Sequence, residues 1–313
     1  MSGVGKRVKN QTIGVVGGGL MGHGIAYLLA AAGHEVRIFE PSADIRASVP
    51  ERLRAIVDLL EDDPAVLTRI SAHEALASAA DGAQFVFEAA PEKLPLKQHI
   101  FAELEGIVAP DAVLASNSSA IPSTEIGRKL KHRDRVIGTH FWNPPHLVPL
   151  VEVIQTEFTS DAVVAQTMEL LADAGKKPVH VRKDIPGFIG NRLQHALKRE
   201  AIALVAAGVC DAQTLDTVVK EGFGARIAVL GPLEQSDLVG LDLTLDISSV
   251  LVEHLDRTAG PHPFLRAKVA AGKLGMKTGE GFRTWTPEQA NEVRERLRNF
   301  LAEQAKARRK AKR

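Results

Sequence analysis

A short β-branched run, Thr12–Val16, passes directly into Gly17-Gly18-Gly19-Leu20-Met21-Gly22 and then into an apolar helical stretch, Ile25–Ala32. That order constrains the fold more than any other feature, because it requires a strand, a tight turn and a helix that returns across a sheet. Each glycine has its own task. Gly17 makes the bend, Gly19 removes a side chain that would hold the backbone away from a pyrophosphate, and Gly22 lets helix and strand pack closely. Free N–H groups and the positive dipole end then favour phosphate at the helix start, so Gly17, Gly19, Leu20, Met21 and Gly22 are candidate cofactor residues. A second strand, Val36–Glu40, ends in a carboxylate about 20 residues after the glycines, where it accepts ribose hydroxyls. Glu40 also repels a 2′-phosphate, so NAD is expected rather than NADP, with Arg37 and Arg46 near enough to weigh the other way.

The alternation continues through Phe85–Glu88, Val113–Ser116, Val136–His140, Val151–Ile154 and Val179–Val181, which predicts an α/β fold with a mainly parallel, Rossmann-type sheet. From Gly187 the apolar residues recur at helical spacing, through Phe188–Val205, Thr214–Val219 and Leu238–Leu255. The expected domains are therefore an NAD-binding domain over residues 1–185 and an all-helical substrate and dimerisation domain over 186–313. Asp184-Ile185-Pro186-Gly187 marks the boundary, since the proline cannot continue a strand ladder. The end from Pro287 is charged and helix-like, and its terminal Ala-Arg-Arg-Lys-Ala-Lys-Arg reads as a solvated, fraying tail.

A net charge of +1 gives no field to draw the chain to nucleic acid or an anionic membrane, so small molecules are the expected partners. The most apolar stretch falls far short of the roughly 20 residues that span a bilayer. The opening residues lack a secretory pattern, and the single Cys210 allows neither an internal disulfide nor a zinc-type cluster. A soluble, cytoplasmic protein without a metal is expected.

His140 closes the strand Val136–Thr139, and strand ends of this kind face the cofactor crevice in open α/β sheets. A histidine there can take an alcohol proton near neutral pH as hydride departs. Glu152 lies in the apolar run Val148–Ile154, where an unpaired carboxylate would be costly to bury. His140 is its natural partner, because a carboxylate on one ring nitrogen fixes the tautomer and stabilises the imidazolium. Ser119 follows a strand end and Asn191 opens the helical domain, which makes both candidates for handling substrate oxygens, with Asn191 bridging His140 and substrate.

These segments together resemble the L-3-hydroxyacyl-CoA dehydrogenase family. The matches are Gly17–Gly24, Phe87–Glu92, Ser116–Ser119, His140–Glu152, Asp184–Arg192 and Lys277–Phe282, in order along nearly the whole chain. The resemblance implies a Rossmann-type domain, a helical C-terminal domain and a homodimer formed through the latter. It assigns the general base to His140, the orienting acid to Glu152 and substrate contacts to Ser119 and Asn191. It also adds Glu92, Lys97, Asn117 and Asn143 to the cofactor side. The expected reaction is oxidation of a 3-hydroxyacyl substrate to the 3-oxo product; a non-catalytic dinucleotide binder is the competing class, and it has no need of the full set of four catalytic residues.

Two departures concern the substrate. The segment between Glu40 and Glu88 is shorter than in CoA-binding members, whose helical hairpin there helps hold the nucleotide end of CoA. Its Arg46, Arg52, Arg54 and Arg69 are outnumbered by acidic side chains. The loop from Trp142 to Leu150 is also closer to relatives acting on free hydroxy acids, such as the L-carnitine, L-gulonate and pyridine-carboxylate dehydrogenases. A free β-hydroxy acid is therefore the alternative to a CoA thioester.

Overall fold

The computed structural model of the chain describes residues 10–310. It forms a first compact unit that runs to Asn191 and takes the chain back from Arg298, and a second unit, Arg192–Leu297. The first unit contains β1 (Thr12–Val16), α1 (Gly22–Ala31), β2 (Glu35–Phe39), α2 (Ala43–Leu60), β3 (Ile70–His73), α3 (Leu76–Ala80), β4 (Phe85–Glu88), α4 (Leu94–Ile107), β5 (Val113–Ser116), α5 (Ser123–Gly127), β6 (Val136–Phe141), β7 (Leu150–Ile154), α6 (Asp161–Asp173) and β8 (Lys177–Val181). The strands make one eight-stranded sheet in the order β3-β2-β1-β4-β5-β6-β7-β8. All neighbours are parallel except β6 and β7. The sheet is thus mainly parallel, as the alternation of the sequence indicates. Buried β-branched and aromatic residues explain this, since Ile13, Val15, Val36, Ile38, Phe87, Val113 and Val151 must be covered on both faces by helices.

The chain builds outward from β1 to β2 and β3, then crosses back to place β4 on the other side of β1. That reversal opens a crevice at the carboxyl ends of β1 and β4, where open α/β sheets bind their ligands. β3 was not expected from the sequence: Ile-Ser-Ala-His is too short and too exposed to show a strand pattern, and it forms because the edge of β2 offers a ladder.

In the second unit, α7 (Gly190–Ala206) continues from the first, followed by α8 (Ala212–Glu221), α9 (Gly224–Ile227), α10 (Pro232–Val239), α11 (Leu241–Leu251), α12 (Pro263–Ala270) and the start of α13 (Pro287–Lys310). The apolar stretch from Leu238 to Leu255 is split by Gly240, whose φ of +99° ends one helix and starts the next. No helix among the described residues is long and apolar enough to cross a membrane. None of their His, Cys, Asp and Glu residues cluster as a metal site.

The basic end corrects an expectation. Far from fraying in solvent, the last turns of α13 pack on the first unit, with Ala302 and Ala305 buried in its core cluster. Arg309 pairs with Asp62 at 2.6 Å, Asp62 also accepts the Tyr27 hydroxyl, and Lys306 pairs with Glu61. Alanines spaced along one face let the helix sit close enough for its arginines to reach across. The basic opening and the last three residues lie outside the described residues.

Candidate active site

The antiparallel turn from β6 to β7 sets His140 directly opposite Glu152 in the ladder. Cross-strand partners share a face, so register alone brings the two side chains together. His140 Nδ1 donates to Glu152 Oε2 at 2.8 Å, with the residues 4% and 1% exposed. The other carboxylate oxygen accepts from the backbone N–H of Ile189 at 2.9 Å and of Gly190 at 3.0 Å. Burial opposes ionisation of Glu152, but the hydrogen bonds from His140, Gly190 and Ile189 outweigh it and hold the carboxyl below its ordinary range. An ionised acceptor requires the proton on Nδ1, which leaves Nε2 with the lone pair a base needs.

Two further residues shape this pocket and were not anticipated as site residues. Phe188, only 1% exposed, holds a φ of +50° and stands 5.5 Å from the His140 ring. A bulky residue in the left-handed region is strained and persists only where its surroundings enforce it. The Trp142 ring is likewise 5.5 Å from that of His140. A Cβ at Gly190 would lie 2.3 Å from the Trp142 ring, so glycine alone lets the backbone N–H reach Glu152.

Asn191 follows immediately, and its amide donates to the backbone oxygen of Ser119 at 3.0 Å. Ser119 is exposed and Asn191 half-buried. The four residues assigned by sequence are therefore connected through one chain of contacts, although Asn191 reaches the Ser119 loop and not His140.

That loop is held from below. Glu92 Oε1 accepts from the Ser118 hydroxyl at 2.6 Å and from the N–H groups of Ser119, Ala120 and Ile121. Burial works against its ionisation, yet Ser118, Ala120, Lys97 and Ile121 together keep the Glu92 carboxyl below its usual range. Lys97 is 1% exposed and bonds Glu88 at 2.6 Å, with Glu92 at 3.5 Å. Glu88, fully buried, also takes the Ser116 hydroxyl and the Ala90 N–H. Lys97 is thus sealed inside the protein and acts on the site through its two carboxylates. Glu88 escaped the sequence reading although it carries the same signal as Glu152, a carboxylate at the end of an apolar strand. Asn117 accepts from Phe141 N–H through its side chain and fastens the ends of β5 and β6, while Asn143 is exposed in the following loop.

The glycine turn fits a dinucleotide. Gly17 has φ +101°, and a Cβ at Gly22 would lie 1.7 Å from its carbonyl oxygen, so both positions demand glycine for the fold itself. A Cβ at Gly19 would meet no protein atom within 4 Å. Packing does not require glycine there, whereas close approach by a pyrophosphate does. The first turn of α1 carries no acidic residue and no side-chain cap, which leaves its N–H groups for an anion. Glu40, 7% exposed, braces the turn by accepting from Gly18 N–H at 2.8 Å and from Ser42 N–H at 3.0 Å. Arg46 is engaged by the Glu40 backbone and by Glu74, and Arg37 by Glu35, so both nearby cations have partners other than a 2′-phosphate.

A dinucleotide turn after β1 in a mainly parallel sheet, with a carboxylate-fixed histidine on β6, is the arrangement of an NAD-binding dehydrogenase. Residues 12–185 match the 3-hydroxyacyl-CoA dehydrogenase NAD binding domain, and residues 187–285 match the 3-hydroxyacyl-CoA dehydrogenase C-terminal domain. The chain belongs to the 3-hydroxyacyl-CoA dehydrogenase family. It is 35% identical to a 5-formyl-3-hydroxy-2-methylpyridine 4-carboxylate 5-dehydrogenase of Mesorhizobium japonicum, over 93% of this chain and 96% of that one. It is 39% identical to a 3-hydroxybutyryl-CoA dehydrogenase of Mycobacterium tuberculosis, over 88% and 98%. Among solved structures, a 5-formyl-3-hydroxy-2-methylpyridine 4-carboxylic acid 5-dehydrogenase, described as an NAD+-dependent dismutase, superposes with a TM-score of 0.89 at 33% identity, covering 96% of this chain and 99% of that one.

Two outcomes test the site. Glu40→Ala should erode the preference for NAD over NADP by at least about tenfold, equivalent to about 1.4 kcal/mol, in kcat/KM measured with each cofactor; an unchanged ratio would remove Glu40 from cofactor choice. The second concerns acid. Because folding depresses the Glu92 carboxyl below its ordinary value of 4.5, it contributes stability above that pH, and the contribution is lost as pH falls through the lower folded value. Glu92→Gln should therefore be less stable at neutral pH and lose less stability on acidification, as read from denaturant titrations at several pH values; parallel pH profiles would contradict this.

Proposed function

We propose that this protein oxidises a secondary alcohol on the carbon β to a carboxyl-derived group, giving the 3-oxo product. The observation that carries the reading is the His140–Glu152 pair, fixed by strand register and buried beside the crevice. Gly17, Gly19, Leu20, Met21, Gly22 and Glu40 would hold NAD, with Asn117, Glu92, Lys97 and Asn143 on the cofactor side. Bound NAD supplies the hydride acceptor. His140 takes the hydroxyl proton on Nε2, and Glu152 stabilises the imidazolium that forms. Ser119 and Asn191 orient the substrate oxygens. Phe188 and Trp142 exclude water from the imidazole.

A free β-hydroxy acid suits the site better than its CoA thioester. Where the CoA-binding members place a helical hairpin, this chain has α2, a single helix of 18 residues, followed by a 3-10 turn and the edge strand β3. Of its four arginines, Arg46 is engaged by Glu74 and the Glu40 carbonyl, and Arg69 by the Ala30 carbonyl. The Mesorhizobium relative, whose name specifies a pyridine carboxylate, matches 93% of this chain, against 88% for the butyryl-CoA relative.

A homodimer formed through the second unit is part of the same reading. Leu233, Leu238, Leu241, Leu245 and Val250 are 63–80% exposed on it, far more apolar surface than an isolated soluble unit usually leaves in water. Light scattering should return twice the chain mass, and a monomer would refute the dimer. The lone Cys210, unpaired, suits a reducing cytoplasmic setting.

The mechanism is tested by His140→Gln, which should keep NAD affinity and lower turnover by roughly 10²–10⁴, the span for loss of a general base; turnover within a few-fold of the parent would exclude His140 as the base. The substrate is tested by comparing one acyl chain as free acid and as thioester. We expect kcat/KM for the acid to equal or exceed that for the thioester. A thioester advantage above about 10³, some 4 kcal/mol of transition-state binding, would return the protein to the acyl-CoA group.

A further inference from the structure

The loop 142–149, which joins His140 to Glu152, is tied down by cations rather than by its own side chains. Lys176 donates to the carbonyl oxygens of Pro145 and of Val148, the latter at 2.8 Å, and Arg308 of α13 donates to that of Leu147 at 2.7 Å. Behind these ties is a cavity of about 290 Å³. Its polar wall consists of His146, Lys176, Lys177, Arg308 and Arg309, and among the described residues no carboxylate lines it. Leu28, Pro149 and Ala305 supply apolar wall.

The electrostatics of this wall are unbalanced. Lys176 is only 6% exposed, and its acceptors are carbonyl dipoles, not a formal charge. Burial, reinforced by the neighbouring Arg308 and Arg309, pushes its ammonium down to about 7. Burial and the cations around it push His146 down to about 4, so the imidazole adds no charge at neutral pH. Arg309 has Asp62 as a partner. A buried ammonium without a counter-charge is costly, and two or more cations converging on a concave, partly apolar wall are what an oxyanion needs.

We propose that this cavity binds the oxyanion, phosphoryl or carboxylate, of a small metabolite with a short apolar body, at a position separate from the glycine turn and from His140. The anion neutralises the repulsion among Lys176, Lys177 and Arg308, and its hydrogen bonds join α13 to the loop 142–149. Because it binds only the folded chain, it raises thermal stability.

The test is calorimetric titration of the full-length protein with inorganic phosphate, glycerol phosphate and butyrate, each at ionic strength matched with chloride. Saturating NAD is present throughout, so that the glycine turn cannot account for binding. One saturable site is expected per chain, with a matching rise in melting temperature, and the tighter probe identifies the anionic group. Lys177→Gln and Arg308→Gln, both at the surface end of the cavity, should each weaken binding at least tenfold while NAD affinity stays within twofold. Absence of saturable binding by all three probes, or binding undiminished in both variants, would overturn the proposal. The outcome is independent of the substrate assignment, since no turnover is measured.

Discussion

Much of the first unit can be understood from one requirement, that the Glu152 carboxylate be ionised inside the sheet. An unpaired charge there would cost several kcal/mol. The structure meets this with three donors: His140 through antiparallel register, and the N–H groups of Ile189 and Gly190 through the return of the chain after β8. Those donors fix the path of the backbone. Phe188 accepts a left-handed conformation, and position 190 excludes any side chain because Trp142 occupies the space. The imidazole is thereby held in one orientation by groups already in place.

A second buried charge group follows the same rule at the neighbouring strand ends. Glu88 and Lys97 neutralise each other in the interior, and Glu92 uses its remaining capacity to gather the donors of residues 118–121. The two networks meet where Asn191 donates to Ser119, one residue beyond the N–H that serves Glu152. Displacement of either network would therefore be felt by the other, because backbone donors satisfied by a buried carboxylate have no cheap alternative partner.

The C-terminal helix adds a third contact of this kind from the far end of the chain. Arg309 reaches Asp62 and, through it, the hydroxyl of Tyr27 on the nucleotide helix, while Arg308 holds the loop that leads from His140. Side chains that look like a solubilising tail are thus held against α1 and the loop 142–149.

The glycine turn, the strand and helix alternation, Glu40 at the end of β2 and the need of Glu152 for a partner were all legible in the sequence. Each depends on local periodicity, on backbone conformations that only glycine tolerates, or on the cost of a charge in an apolar run, and these act within a few residues. Tertiary structure alone decided that Lys97, a surface charge on any local reading, is sealed against Glu88; that Phe188 closes over His140; that β3 joins the sheet edge; and that the basic end docks on α1 and the loop 142–149. These outcomes rest on partners distant in the chain, 245 residues apart for Lys306 and Glu61, and a charged side chain is exposed or buried according to whether such a partner arrives.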